Sequence, residues 1–190
     1  MKSFLTMAMA LTALGCGYAM AQASKPAADV NQLMRALFFP NSNVVFLTQR
    51  MNPQEIKQAS EPSAATDPLM SVFNGWGAVE NSALTISDSA DLLMTPGRVC
   101  SNGKTAPIAE PEWIRFVNQL RDAGKVAYEA AKTKDMDKML DASDVLNTSC
   151  ANCHNRYRTH VLQVVAGYFF IAQSKSILDD RPNAACVGNF

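Results

Sequence analysis

Two thiols and an imidazole lie close together near the C-terminal end of the chain, at Cys150, Cys153 and His154. Positions i, i+3 and i+4 lie on one face of an α-helix, so all three groups can face one ligand. Two thiols at this spacing can add to the two vinyl groups of a porphyrin, and the adjacent imidazole can bind its iron. The pattern therefore predicts one covalent haem c, with Cys150 and Cys153 as thioether attachments and His154 as the proximal iron ligand.

A Cys-x-x-Cys pair has two other common uses. A structural zinc site needs a second pair of ligands, yet the other histidine is His160, and Cys100 and Cys186 stand alone in the sequence. A thioredoxin-like redox dithiol is typical of a βαβ unit, whereas the flanks of this pair have helical patterns. The adjacent histidine favours haem, and the redox dithiol is the remaining alternative.

The first 21 residues have the pattern of a secretory signal peptide. Lys2 gives a positive start, residues 4–14 form a short apolar core, and an A-x-A cleavage site ends at Ala21. The pattern predicts export to the periplasm, with lipoprotein processing at Cys16 as the alternative. The apolar run is shorter than the roughly 20 residues that cross a bilayer, so no membrane span is predicted.

The composition fits one globular domain with a sizeable core, because 48% of the 190 residues are hydrophobic and 18% are charged. Residues 22–190 would form this domain, with a C-terminal extension from about residue 159. The formal net charge is zero, so no overall field would attract a nucleic acid or an anionic membrane. Neither is predicted as a partner.

Two cysteines remain after the signal peptide and the haem have taken the others. Cys100 and Cys186 would both lie in an oxidising compartment, where a disulfide between them is the simplest account. Two free or externally paired thiols are the alternative, because the sequence does not show whether the two Cα atoms lie close enough.

Apolar residues recur at helical spacing in four segments, and no segment has the alternation of a strand. Asp29 is the predicted N-cap of the first helix, which is expected to be broken or kinked near Pro40, because proline lacks a donor and the Asn and Ser residues after it compete for backbone bonds. The second runs from about Asp67 to about Met94, the third opens at Pro111, and the fourth carries the haem residues on its core-facing side. The prediction is an all-α fold, a four-helix bundle with the haem on the C-terminal bundle helix.

Four helices with Cys-x-x-Cys-His on the last resemble the cytochrome c′ family, in which two residues, an aromatic residue and a basic residue typically follow the motif. This chain has Tyr157 and Arg158 at those places, and the resemblance covers roughly residues 29–158. It implies a class II c-type cytochrome. Dimers are common in that family, so a homodimer is an expectation here, with the apolar segment 161–172 as its interface or as packing within one chain.

In that family the first helix faces the distal side of the haem, and low-spin members place a methionine there. Met34 occupies a comparable position, so the resemblance implies that Met34 is the distal iron ligand, with core packing as the alternative. Met51 is the second choice. His160 lies about 240° round the helix from His154 and cannot reach the opposite haem face.

Further residues are candidate haem contacts. Arg35, beside Met34, and Arg156 or Arg158, beside the haem motif, could pair with the haem propionates, because a guanidinium binds carboxylates in a bidentate way. A solvated surface charge is the alternative for each arginine. Tyr157 would pack on the haem edge or in the core.

The predicted function depends on the sixth iron ligand. Iron held by His154 and Met34 would make a periplasmic electron carrier that acts with redox partner proteins which the sequence does not identify. An open sixth site would instead bind nitric oxide or carbon monoxide, as a scavenger or sensor. A peroxidase is disfavoured because no distal histidine is available as an acid–base group, so an enzyme is not predicted.

Overall fold

The computed structural model describes residues 25–57, 60–61, 75–158 and 186–187, and this part of the chain is all-α. Two isolated β-bridges, Val99 with Thr105 and Arg158 with Val187, are the only strand-like pairings among these residues. The helical elements are α1 (Val30–Leu33), a π-helix (Met34–Phe38), α2 (Phe39–Leu47), a 3₁₀ turn (Pro53–Glu55), α3 (Gly75–Ser89), a second 3₁₀ segment (Ala90–Met94), α4 (Pro111–Thr133) and α5 (Met136–Tyr157). The predicted signal peptide, His160 and the apolar segment 161–172 lie outside the described residues.

The first helical segment, formed by α1, the π-helix and α2, begins at a reciprocal cap. The Asp29 carboxylate accepts the Gln32 backbone N–H at 2.6 Å, and the Gln32 side-chain oxygen accepts the Asp29 N–H at 2.9 Å. Each interaction satisfies a donor that the first turn of a helix leaves unpaired. The predicted N-cap at Asp29 is therefore confirmed.

The predicted break at residues 40–43 is wrong, because α2 runs through Pro40 without interruption. The irregularity lies one turn earlier, in the π-helix, where the Phe39 N–H donates to the Met34 carbonyl five residues back. A proline ring inside a regular helix clashes with the carbonyl four residues before it. The wider π-helical turn before Pro40 relieves that crowding, so the helix continues instead of ending.

The later helices follow the sequence pattern closely. The second 3₁₀ segment ends at Met94 and α4 begins with Pro111, as predicted, while the expected start of the second helix near residue 67 lies outside the described part. The Asp135 carboxylate caps α5 by accepting the Asp137 and Lys138 N–H groups. None of the described helices is long and apolar enough to cross a membrane.

The core lies where the helices meet, with α4 packed against α3 on one side and α5 on the other. The helix α2 packs on α3 and also reaches α5. Small residues of α4 allow close approach, and large buried side chains fill the remaining space. The most deeply buried of these are Val30, Val45, Val79, Ile86, Trp113, Met139, Leu146 and Tyr157.

The loop between the second 3₁₀ segment and α4 is fastened to three other parts of the chain. The buried Arg98 guanidinium donates to the carbonyls of Ala28 and Leu92. A disulfide joins Cys100 to Cys186, with Cα atoms 4.1 Å apart. The Val187 N–H then donates to the Tyr157 carbonyl at 3.0 Å, so residues 186–187 link this loop to the end of α5.

Gly124 marks the closest approach of α4 to α3. A Cβ atom at this position would lie 2.7 Å from the Ser87 nitrogen and 3.1 Å from the Ala83 carbonyl oxygen. Because both atoms belong to backbone, the helices would have to separate, and we expect Gly124→Ala to lower the free energy of unfolding by about 1–3 kcal/mol. Thermal or urea unfolding would measure this, with Lys125→Ala, at an exposed neighbouring position, as the control. A Gly124→Ala variant as stable as the wild type would contradict this contact.

Candidate functional site

The helix α5 brings the two thiols and the imidazole of the sequence motif onto one wall of a cavity. Cys150, Cys153 and His154 all line this cavity, which has a volume of about 230 Å³. Leu146, one turn earlier on α5, is fully buried and continues the same wall. The i, i+3, i+4 spacing predicted from the sequence therefore does place the three groups beside one space.

Every long helix of the described chain contributes to the remaining walls, and the lining is mostly apolar and aromatic. The first helical segment supplies Met34, Phe38, Phe39, Ser42, Asn43 and Phe46. Ile86 comes from α3 and Leu93 from its 3₁₀ extension, and α4 supplies Trp113, Phe116, Val117 and Leu120. The Trp113 indole N–H donates to the Leu93 carbonyl, so this large ring presents no unpaired donor to the cavity. A flat, largely apolar group with polar edges fits such a lining.

Met34 lies on the first helical segment and lines the same cavity as His154. Its side chain is buried, with 6% of its surface exposed, and it is the first residue of the π-helix. Local π-helical turns are frequent at functional sites because they shift the direction of the side chains that follow. Met51, the second methionine considered as a ligand, is 40% exposed and does not line the cavity.

Loss of solvent raises the pKa of both cysteine thiols that line the cavity. The pKa of Cys150 rises to about 11, mainly through desolvation. The pKa of Cys153 rises to about 12, through desolvation first and the charge of Cys150 second. Both groups are therefore neutral thiols at neutral pH, which separates them from redox dithiols that react through a low-pKa thiolate.

We expect the thiols of the haem-free protein to be alkylated by iodoacetamide at pH 8 at least about tenfold more slowly than those of the unfolded chain, because only the thiolate reacts. The rate should rise as pH approaches 11. The folded protein keeps its thiol protons at pH values where the unfolded chain releases them, above about pH 8.5. The free energy of unfolding should therefore fall as the pH rises from about 8.5 towards 11. Equal rates in native buffer and in guanidinium would contradict the burial of these thiols.

Two polar atoms at the cavity are buried without a hydrogen-bond partner among the residues that the structure describes. They are the Ser149 hydroxyl oxygen and the Arg158 Nε, and both residues line the cavity. A buried polar group without a partner costs free energy, so a ligand or water is expected to complete each one. The Arg158 guanidinium suits a carboxylate, which matches its predicted contact with a haem propionate. The residues present therefore fit a haem.

Arg35, Arg156 and Tyr157, the other predicted haem contacts, do not line the cavity. Arg35 is exposed on the first helical segment. Tyr157 is only 1% exposed and packs edge-on against Trp113, with ring centroids 4.9 Å apart. Its hydroxyl donates to the Glu110 carboxylate at 2.9 Å, and desolvation together with this bond raises the Tyr157 pKa. Tyr157 therefore supports Trp113 from the side away from the cavity.

The sequence motif did not point to several residues of the cavity. Ser149 directly precedes Cys150, and the helical periodicity of α5 could have placed it on the inner face, since Leu146 and Cys153 lie on the same side. Asn43 and Phe46 carry no such signal, because their place on the cavity depends on α2 continuing through Pro40. Cys100 and Cys186 do not line the cavity.

No protein-family model, curated protein or solved structure matches this chain. The interpretation of the site depends on the residues and their geometry.

Proposed function

We propose that this chain is a mono-haem c-type cytochrome that carries electrons, with the haem in the cavity beside α5. The observation that carries the proposal is the convergence of Cys150, Cys153 and His154 on one wall of a largely apolar cavity that Met34 also lines. The packing of the first helical segment, α3, α4 and α5 supports the four-helix bundle of the cytochrome c′ family, which the chain resembles.

The two thiols would hold the cofactor by simple addition. Each S–H bond would add across one vinyl C=C bond, with sulfur bonded to one carbon and the proton taken up by the other, so no oxidant or reductant is consumed. Neutral thiols in a largely apolar cavity suit this reaction, because they are not ready to form a disulfide with each other. A bound haem would supply reversible one-electron chemistry at its iron.

The surrounding side chains would position the cofactor and exclude water. His154 would provide the proximal imidazole, and the buried Nε of Arg158 would find an acceptor in a propionate. Trp113, Phe116 and Ile86 would enclose the apolar part of the ring. A low-dielectric site of this kind would rearrange little when the iron gains or loses an electron, which suits electron transfer.

Met34 would be the distal ligand and would separate the electron carrier from the gas-binding alternative. A thioether stabilises ferrous iron and raises the reduction potential, as in other cytochromes with His and Met ligands. Two observations support Met34 over a packing methionine: it lines the cavity, and the π-helix begins at this residue. Export to the periplasm and cleavage after Ala21 are part of the proposal, on the strength of the leader sequence.

The absorption spectrum of the purified protein, in ferric and ferrous form and with carbon monoxide, tests this function. We expect a covalent haem c that is low-spin in both states, with a ferrous spectrum that carbon monoxide does not change. A high-spin spectrum that responds at once to carbon monoxide would establish the alternative, a five-coordinate haem for nitric oxide or carbon monoxide. A protein without haem, after expression together with a haem-attachment system, would overturn both.

A homodimer is proposed from the resemblance alone. Sedimentation velocity at micromolar concentration would test it, and a single monomeric species would exclude it.

A further inference from the structure

A second depression lies on the outer side of α5, between α4 and α5, with a volume of about 440 Å³. We call it the α4–α5 groove and define it by Asp122 and Val126 of α4 and by Asp144, Val145 and Ser149 of α5. Ser149 also lines the cavity described above. The groove and the proposed haem site therefore share this residue.

The groove carries negative charge that the described residues do not neutralise. Asp122 and Asp144 are both exposed and form no ion pair within the described part of the chain. Arg121, beside Asp122, pairs with Asp91 of the second 3₁₀ segment. No lysine or arginine is among the described residues that line the groove. Its charge therefore favours a cationic ligand.

One polar side chain of the groove also lacks a partner. The Gln119 side-chain oxygen is buried and forms no hydrogen bond within the described part of the chain. This oxygen can accept a hydrogen bond, so an N–H donor would satisfy it. An ammonium group has three such donors and the positive charge that the two carboxylates favour.

Two apolar side chains of the groove are exposed. Val126 and Val145 are 46% and 47% exposed, whereas Val117, the other valine of these two helices, is 3% exposed. Small electron-transfer interfaces commonly combine a few apolar contacts with charge that steers the partner. A lysine side chain suits this surface, because its methylene stem can pack on the valines while its ammonium group pairs with the carboxylates.

We propose that the α4–α5 groove is the docking site for a redox partner protein that presents lysine side chains. A partner seated there would contact Ser149, which precedes Cys150 and also lines the cavity, so electrons would enter or leave through the helix that carries the haem attachments. This inference rests on the proposed haem, but it makes a separate claim about where the partner binds.

The test uses the mature haem protein and a hexalysine peptide as the probe. We expect the peptide to shift the amide NMR signals of groove residues in the ferrous protein, with binding that weakens steeply as salt is added. Asp122→Asn/Asp144→Asn should weaken hexalysine binding by about fivefold or more at low salt. Electron transfer to a lysine-rich cytochrome c, followed by stopped flow, should slow by a comparable factor.

The matched control removes the same charge elsewhere. Asp88→Asn/Glu55→Gln changes two exposed carboxylates on α3 and on the first 3₁₀ turn, neither in the groove. This variant should bind hexalysine within about twofold of the wild type. Equal losses in the two variants would mean that net charge, and not the groove, attracts the probe, which would overturn the proposal.

Other results would overturn it as well. Hexalysine shifts that map away from the groove would do so, and so would a change of sedimentation in Asp122→Asn/Asp144→Asn, which would make the groove a contact between two copies of the chain. The visible spectrum of each variant separates the two proposals. Normal haem spectra with unchanged probe binding would reject the docking site alone, whereas absence of covalent haem from the wild type would reject the proposed function.

Discussion

A Cys150→Ser/Cys153→Ser variant is expected to carry no covalent haem, whereas the wild type is expected to carry one. Serine hydroxyls do not form thioethers, and both thiols line the one cavity that also holds His154. Removing them leaves the iron ligands as the only bonds to the cofactor, and those do not survive denaturation. Haem staining after denaturing electrophoresis, together with the intact mass, would measure the loss, which should be complete.

The other two described cysteines offer a matched control for this variant. Cys100→Ser/Cys186→Ser also replaces two cysteines, but these form the disulfide and lie off the cavity. This control should keep its covalent haem and instead lose roughly 2–5 kcal/mol of stability, because the cross-link closes a long loop. Covalent haem that persists in Cys150→Ser/Cys153→Ser would disprove the assigned attachment.

The second large effect is expected from Met34→Ala. If Met34 holds the iron, its removal opens the sixth site, so the ferrous variant should bind carbon monoxide at once while the wild type does not. The reduction potential should fall by on the order of 100 mV, because the thioether that favours ferrous iron is gone. Spectra with and without carbon monoxide, and a potentiometric titration, would measure both changes.

Met139→Ala is the control for the loss of a buried methionine. Met139 is fully buried on α5 but does not line the cavity. Both variants should lose about 2–5 kcal/mol of stability as large-to-small core substitutions. Of the two variants, only Met34→Ala should change the absorption spectrum of the haem. If the spectra of the two variants are alike, Met34 is a packing residue and the gas-binding function becomes the better proposal.

The parts of the fold that the sequence predicted depend on local chemistry. Asp29 and Pro111 mark helix starts because their side chains suit the first turn, whatever the rest of the chain does. The i, i+3, i+4 spacing on α5 likewise follows from helix geometry alone. For the same reason, the three motif residues could be placed on one wall before any tertiary contact was known.

The features of the fold that the sequence did not predict depend on contacts between distant segments. From the local sequence alone, Pro40 predicts the end of a helix. In the structure, the π-helix before Pro40 allows α2 to continue. The helical pattern alone does not distinguish Met34 from Met139. The family resemblance, and not this pattern, predicted Met34 at the haem, and in the structure the packing of the helices brings Met34 to the cavity. Tyr157 and Arg158 are neighbours on the chain, and the direction of each side chain from the end of α5 decides which one faces that space.

The disulfide has a consequence for the order in which the protein matures. It joins the first and last of the four described cysteines, and Cys150 and Cys153 lie between them in the chain. In an exported chain, Cys100 would meet Cys150 and Cys153 before Cys186 emerges, so oxidation in order of arrival would pair the wrong sulfurs. Correct biogenesis would therefore depend on a reductant that keeps Cys150 and Cys153 available, or on an isomerase that repairs early mispairing.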